Sequence, residues 1–141
     1  MRFWDSSAII PLIVKEAQSE YCIQAYRADC DVLAWTMSKI EIFSALCRRL
    51  RDGALGPAAF DAATNRMNTL FETIYEVSAI QRVKDRAIRL LRIHPLRAAD
   101  ALQLAAVMVA TEENSQRLPL MCFDDRLTAA ARLEGFEVSP R

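Results

Sequence analysis

Short strand-like segments alternate with longer helical segments along the whole chain, and this alternation constrains the fold more than any other feature. Strands are favoured where short runs are rich in apolar, β-branched or aromatic residues, over residues 2–5, 32–35, 73–77, 120–123 and 136–138. Strands separated by helices with short connections predict a mainly parallel sheet covered on both faces. With 141 residues and no repeat or linker, the chain is expected to form one α/β domain over 1–141.

The segments between the predicted strands have the apolar periodicity of helices. One set of side chains recurs three and four residues apart and predicts the buried face of an amphipathic helix: Met37, Ile40, Phe43, Cys47 and Leu50. Further helices are predicted over 57–71, 83–93, 98–110 and 125–134, with a short one beginning near Ser7. Segment 98–110 is apolar on nearly every side, so it is expected to be central and buried.

Composition excludes several classes of protein. The 18 basic and 18 acidic residues balance, so no bulk field attracts nucleic acid or a membrane. The early apolar run 8–14 contains Pro11 and is too short for a membrane span or a signal peptide, which predicts a cytoplasmic protein. A single histidine, His94, argues against a zinc site and is expected at a helix end. The cysteines form no C-x-x-C pair and are expected to be free and buried: Cys22, Cys30, Cys47 and Cys122.

Four acidic residues stand where their surroundings disfavour a charge. Asp5 and Asp124 end predicted strands, and ligands of open α/β sheets bind beyond the carboxyl ends of strands. Asp100 interrupts the most apolar helix, where the helix dipole contributes only about 0.3–1 kcal/mol. That contribution is small beside the several kcal/mol that burial of an unpaired ion costs. Glu41 lies inside another apolar helix.

Each acid also has a separate structural explanation. Asp124 or Asp125 could N-cap the last helix, and Asp5 could cap the helix that begins near Ser7. The other two acids could be held by arginines, in the case of Asp100 by its neighbour Arg97, three residues earlier. These explanations are independent of one another.

A shared site for a divalent metal ion accounts for all four acids at once. Mg²⁺ and Mn²⁺ take hard oxygen ligands, and either ion removes the repulsion between converging carboxylates. A bound divalent ion also lowers the pKa of water and stabilises charge that develops on phosphate. Hydrolysis of a phosphodiester is therefore possible without a histidine base.

Four sequence blocks surround these acids in order. They are Asp5-Ser6-Ser7-Ala8, Ser38-x-x-Glu41 followed by Ser44-Ala45-Leu46, the segment 96–106 around Asp100, and Phe123-Asp124-Asp125-Arg126-Leu127. Together the blocks resemble those of PIN-domain ribonucleases, and in particular the VapC-type toxins of bacterial toxin–antitoxin pairs. The resemblance runs over nearly the whole chain. Cys122 departs from the pattern, which often has Thr or Ser two residues before its aspartate, and this leaves Asp124 versus Asp125 open.

The resemblance implies a PIN-like three-layer α/β/α sandwich with a five-stranded sheet in the order 3-2-1-4-5. It also implies an Mg²⁺- or Mn²⁺-dependent endoribonuclease that cleaves single-stranded or looped RNA. By position, Asp5, Glu41, Asp100 and Asp124 would be the catalytic, metal-site acids. Ser6 or Ser7 would be a supporting polar contact. A homodimer silenced by a cognate VapB-type antitoxin is implied as well.

Substrate phosphates would need cationic side chains at the rim of such a site. Arg97, Arg126, Arg48 and Arg49 are the candidates, although a solvated helix face is the favoured explanation for the last two.

Other classes with clustered acids fit less well. A phosphatase of the haloacid dehalogenase type needs D-x-D after its first strand, and the third position here is Ser7. A receiver domain needs an early acidic pair and a late lysine at a strand end, and neither is present. The remaining alternative is a catalytically silent PIN-like module that binds RNA or a partner, which the retention of all four acids disfavours.

Overall fold

The computed structural model describes residues 1–114 and 117–140. Strands and helices alternate through this part of the chain, as the sequence predicts. The elements are β1 (Arg2–Trp4), α1 (Ser6–Ile13), α2 (Ser19–Ala28), β2 (Val32–Trp35), α3 (Ser38–Arg51), α4 (Pro57–Phe71), β3 (Tyr75–Val77), α5 (Ile80–Ile93), α6 (Ala98–Asn114), β4 (Leu120–Met121), α7 (Asp125–Leu133) and β5 (Val138–Ser139).

The strands form one five-stranded sheet in the order β3-β2-β1-β4-β5, with every neighbouring pair parallel. Both the predicted fold class and the strand order implied by the resemblance are confirmed. Strand β1 is central, because Phe3 pairs with Leu33 of β2 on one side and with Leu120 of β4 on the other. The chain order reverses about β1, where ligands of open α/β sheets bind.

Helices cover both faces of the sheet. Successive residues of a strand point to opposite faces, and the buried pair Phe3 and Trp4 shows this directly. Phe3 packs in a core shared with α5, α6 and α7, whereas Trp4 packs in a second core shared with α1 to α4. The result is the predicted α/β/α arrangement of three layers.

Helix α6 lies in the first of these cores, as its apolar sequence predicts. Leu104 and Val107 are fully buried there. Two polar side chains interrupt the apolar surface of this helix: Asp100 in its first turn and Gln103, which is 2% exposed. Both lie at the end of α6 nearest the sheet edge described below.

The predicted buried face of α3 is wrong. Ile40 is 65% exposed and Phe43 40% exposed, whereas Ser38, Ile42 and Leu46 form the buried stripe. Two stripes of this helix have spacings of three and four residues, and periodicity alone does not tell which one packs inward. The stripe that contacts α1 and the sheet holds fewer bulky residues than the one predicted.

Smaller departures concern element boundaries. Helix α2 was not predicted, and Ser19 and Cys22 are its buried residues. Strands β1, β3 and β4 are shorter than predicted, and β5 begins two residues later and ends one residue later than predicted. Gly53, with φ of +75°, follows α3 in a conformation that favours glycine, consistent with the predicted helix stop there.

The cysteines and the histidine are placed as follows. All four cysteines are free, but only Cys22 and Cys122 are buried, so the prediction of buried thiols is wrong for exposed Cys30 and half-buried Cys47. His94 is the C-cap of α5, a helix-end residue as predicted, and its Nε2 lies 2.6 Å from Oε1 of Glu134. Among the described residues, no helix combines the length and apolar character needed to cross a bilayer.

Candidate active site

Two of the predicted acids lie at the same edge of the sheet because their strands are neighbours. Trp4 of β1 pairs with Met121 of β4, and the backbone N–H of Asp5 donates a 3.0 Å hydrogen bond to the carbonyl of Met121. Asp5 is the first residue after β1, and Asp124 follows β4 by three residues. The carboxyl ends of the two strands therefore bring both side chains to the same edge of the sheet.

A single cavity of about 530 Å³ opens at this edge, and all four predicted acids line it. Its wall comes from α1, α3, α6 and the loops that follow β1 and β4. The lining residues are Asp5, Ser6, Ser7, Ile10, Glu41, Ala45, Arg48, Arg49, Asp52, Ala99, Asp100, Gln103 and Asp124. Asp125 is exposed and is not among them. The structure thus places Asp124 at the cavity.

Asp5 is the most buried of the four acids. Its Oδ2 accepts hydrogen bonds from the backbone N–H of Ser7 at 2.9 Å and from the Ser7 hydroxyl at 2.5 Å. Ser7 Oγ in turn accepts the backbone N–H of Phe123 at 3.0 Å, which ties the loop after β4 to the start of α1. Burial raises the pKa of Asp5 from 3.8 to about 6, and the nearby charge of Glu41 adds to the rise.

Glu41 is held by two neighbouring elements. Its Oε2 accepts a 2.6 Å hydrogen bond from the hydroxyl of Ser6 and a 2.9 Å hydrogen bond from Nε2 of Gln103. Gln103 was missed in the sequence, although a polar residue three positions after Asp100 on the same apolar helix was a usable signal. Glu41 is thus anchored by hydrogen bonds to neutral groups.

Asp100 and Asp124 both serve as helix caps. Oδ2 of Asp100 accepts the backbone N–H of Arg97 at 3.1 Å, and Oδ1 of Asp124 accepts the backbone N–H of Leu127 at 2.8 Å. These contacts satisfy N–H groups that a helix start leaves unpaired. The capping roles considered for Asp5 and Asp124 are therefore present. The arginine partners considered for Asp100 and Glu41 are not, since none of the four acids forms an ion pair within the described residues.

The hydrogen bonds of the four acids leave part of each carboxylate available. Within residues 1–114 and 117–140, the hydrogen bonds of Glu41, Asp100 and Asp124 each fall on one oxygen. Both hydrogen bonds that Ser7 donates to Asp5 likewise fall on one oxygen, Oδ2. A cap and a ligand role use different oxygens of the same group, so they are compatible.

The four carboxylates that line the cavity are ligands of the kind that a hard divalent cation binds, although their side chains do not converge on one point. Among the described residues, no three His, Cys, Asp or Glu side chains converge closely enough to hold an ion by themselves. Carboxylates without a cation repel one another. Mg²⁺ needs only one or two protein carboxylates, because it keeps several waters and takes substrate phosphate oxygens. Four carboxylates around one cavity meet that requirement.

The arginines at the cavity differ in part from those first considered. Arg48 and Arg49 line it, and Arg49 forms a salt bridge with Glu16. Arg97 and Arg126 are exposed, and neither is a lining residue. Glu41, Ala45 and Arg48 lie on one stripe of α3 that faces the cavity, and Asp52, the C-cap of this helix, lines the cavity as well.

Cys122 stands beside the acids in place of the hydroxyl residue typical of the pattern. Its Sγ lies 3.7 Å from Oδ2 of Asp5 and 3.3 Å from the backbone nitrogen of Asp124. Burial, and then the charge of Asp5, raise the pKa of the Cys122 thiol to about 12. The thiol therefore stays protonated, and Ser7 supplies the hydroxyl contact to Asp5 that Cys122 lacks.

Three solved structures share this architecture. A toxin–antitoxin complex from Klebsiella pneumoniae aligns with a TM-score of 0.64 at 17% identity, over 92% of this chain and 91% of that chain. VapC20 of Mycobacterium tuberculosis, a toxin that cleaves the sarcin-ricin loop, aligns with a TM-score of 0.67 at 18% identity, over 96% of both chains. A protein from Pyrobaculum aerophilum aligns with a TM-score of 0.63 at 19% identity, over 97% of this chain and 82% of that chain.

No protein-family model matches the sequence, and no curated protein is significantly similar to it. At sequence identities of 17% to 19%, the similarity to the solved structures is one of fold. The chain has a PIN-like α/β fold. More narrowly, it shares this fold with the toxin VapC20.

Proposed function

We propose that this protein is a divalent-metal-dependent endoribonuclease and the toxin of a VapBC-type toxin–antitoxin pair. One observation carries the proposal. Asp5, Glu41, Asp100 and Asp124 are spread from the first strand to the last helix, yet all four line one cavity at the carboxyl ends of β1 and β4. Separate structural roles would not require the four acids to share a cavity.

The roles of the side chains follow from their contacts. The carboxylates of the four acids would hold Mg²⁺ or Mn²⁺ through oxygens that the hydrogen bonds described above leave available. Such an ion, when bound, activates water and stabilises charge on the phosphate. Ser6 and Ser7 fix the orientation of Glu41 and Asp5 by hydrogen bonding. No single acid is assigned as general base, because coupled carboxylates titrate as a group.

RNA is the proposed substrate. Arg48 lines the cavity and has no ion-pair partner within the described residues, so its guanidinium is available to a phosphate. Arg49 is engaged by Glu16 and is less available. The likeness in fold to VapC20, a toxin that cleaves the sarcin-ricin loop, supports RNA as the substrate class.

An antitoxin partner, a homodimer and a cytoplasmic location belong to the same proposal. The fold shared with a toxin–antitoxin complex supports the antitoxin. Exposed apolar side chains on α3, among them Ile40 and Phe43, are consistent with a protein partner. Expression of the chain alone should arrest growth, and co-expression of the neighbouring reading frame should relieve the arrest. Unrestrained growth with folded protein would argue against a toxin.

A silent RNA- or partner-binding module is the second candidate. This candidate is favoured by one observation: among the described residues, no three His, Cys, Asp or Glu side chains lie close enough together to hold a metal ion. A module of this kind would bind RNA through Arg48 without cleaving it.

Cleavage of RNA in the presence of Mg²⁺ or EDTA separates the two candidates. We expect cleavage with Mg²⁺, none with EDTA, and a loss of at least 100-fold for Asp5→Asn and Asp100→Asn. Asp61→Asn, an exposed acid on α4, is the matched control and should cleave like wild type. Cleavage that persists in EDTA, or full activity in both site variants, would overturn the metal-dependent mechanism.

A further inference from the structure

Gln103 connects three parts of the candidate site from inside the protein. Its Nε2 lies 3.0 Å from Oγ of Ser6, 3.0 Å from Oγ of Ser38 and 2.9 Å from Oε2 of Glu41. The side chain is 2% exposed. One amide thus contacts the first residues of α1 and α3 and the acid that α3 contributes.

We infer that Gln103 is a positioning residue that fixes the carboxylate of Glu41 for binding a divalent cation. This inference rests on the proposed function and adds a residue to it. Gln103 does not need to touch the ion or the RNA, because it acts through Glu41.

The orientation of the amide is determined by Glu41. Oε1 of Gln103 is buried and has no hydrogen-bond partner within the described residues. Turning the amide over would place that oxygen against Oε2 of Glu41, where two acceptors would meet without a proton between them. The structure keeps one buried acceptor unpaired, which is unfavourable, and directs the donor at Glu41 instead.

The two carboxylate oxygens of Glu41 differ in their hydrogen bonds. Oε2 accepts from both Gln103 and Ser6, so the carboxylate is held from two sides. Oε1 accepts no hydrogen bond from the described residues and is left for a ligand. Because Ser6 Oγ accepts from Gln103 while donating to Glu41, the three groups form a closed ring of hydrogen bonds.

The same helix supplies both Gln103 and Asp100, three residues apart and on one face. Since α6 is packed in the core, it holds these two side chains in a fixed relation to each other. Asp100 is carried by α6 itself, and Glu41 of α3 is held against the same helix by Gln103.

Binding of Mn²⁺ alone, followed by electron paramagnetic resonance, tests the inference without relying on activity. Gln103→Met keeps the length and volume of the side chain but removes the donor. We expect it to weaken Mn²⁺ binding about 10-fold or more, as loss of an outer contact to a ligand typically does. In a Glu41→Gln background, the same change should weaken binding no further, because the group through which it acts is already altered.

Leu104→Met is the matched control for disturbance of α6. Leu104 adjoins Gln103, is fully buried and does not line the cavity, so its variant should leave Mn²⁺ binding unchanged. Gln103→Leu provides the same test if Gln103→Met does not fold.

The outcomes separate this inference from the proposed function. Wild-type Mn²⁺ affinity in Gln103→Met, together with loss of binding in Asp5→Asn and Glu41→Gln, would overturn the role of Gln103 alone. Equal weakening by Gln103→Met in the wild-type and Glu41→Gln backgrounds would also overturn it. Unchanged binding in all of these variants would overturn the metal site itself.

Discussion

Oγ of Ser6 donates a 2.6 Å hydrogen bond to Oε2 of Glu41, a residue 35 positions later in the chain. Ser6 begins α1 and directly follows Asp5, so this contact fixes the acid of α3 beside the acid that ends β1. Ser6 is buried, and within the described residues its hydroxyl forms hydrogen bonds with Glu41 and Gln103. The serine therefore links two acids that share no element.

Ser6→Ala removes this link while leaving both acids in place. We expect Mn²⁺ affinity to fall about 10-fold, in the range seen when an outer contact to a metal ligand is lost. Isothermal titration with Mn²⁺ measures the change. Ser44→Ala, at an exposed position of the same helix as Glu41, should bind like wild type. If both variants bind equally well, Ser6 does not position Glu41.

The raised pKa of Asp5 predicts a dependence of metal-free stability on pH. The folded value of about 6 lies above 3.8, so the folded state binds the proton more tightly than the unfolded state does. Stability from this group is therefore present below pH 4 and is lost as the pH rises to 6, by about 3 kcal/mol. Asp5→Asn keeps the helix cap without the buried charge.

We accordingly expect Asp5→Asn to unfold at a higher urea concentration than wild type at pH 8 in EDTA, and at the same concentration at pH 4. Mn²⁺ should stabilise the wild type and not the variant. If the difference in unfolding urea concentration between the two proteins is the same at both pH values, the charge of Asp5 does not cause that difference.

Arg48 and Arg51 offer a comparison within one helix. Both are exposed arginines of α3, but only Arg48 lines the cavity. In an Asp100→Asn background that prevents cleavage, Arg48→Ala should weaken binding of single-stranded RNA. It should also reduce the slope of log affinity against log salt by about 0.7, the value for one phosphate contact. Arg51→Ala removes the same charge and should change neither quantity, so equal effects would mean that bulk charge alone matters.

Two isoleucines of α3 test the observed packing of this helix. Ile42 is fully buried, whereas Ile40 is 65% exposed. Ile42→Ala should lower the free energy of unfolding by about 2–5 kcal/mol because it leaves a cavity in the core. Ile40→Ala should change it by about 0.5 kcal/mol or less. Urea denaturation at one fixed protein concentration measures both changes. A larger loss of stability for Ile40→Ala than for Ile42→Ala would support the buried face predicted from periodicity.

The sequence was most informative where local patterns and burial agree. Pro57 begins α4 at the predicted residue, and β2 has the predicted bounds. The apolar stretch of α6 made Asp100 conspicuous and predicted that this helix is buried. The strand order came from the family resemblance, since periodicity carries no information about which strands are neighbours.

Other features depend on contacts that no local pattern encodes. Gln103 lies on the same apolar helix as Asp100. Its role in the site depends on hydrogen bonds with Ser6 and Ser38, which lie 97 and 65 residues away in the sequence. The placement of Arg48 at the cavity depends on which face of α3 packs inward. That face was predicted wrongly because both stripes of the helix fit the same period.

An anomalous difference map from a crystal soaked in Mn²⁺ tests the central claim most directly. We expect a peak inside the cavity, within coordination distance of oxygens from at least two of Asp5, Glu41, Asp100 and Asp124. A peak elsewhere on the protein with an empty cavity, at Mn²⁺ concentrations that support RNA cleavage, would contradict this claim.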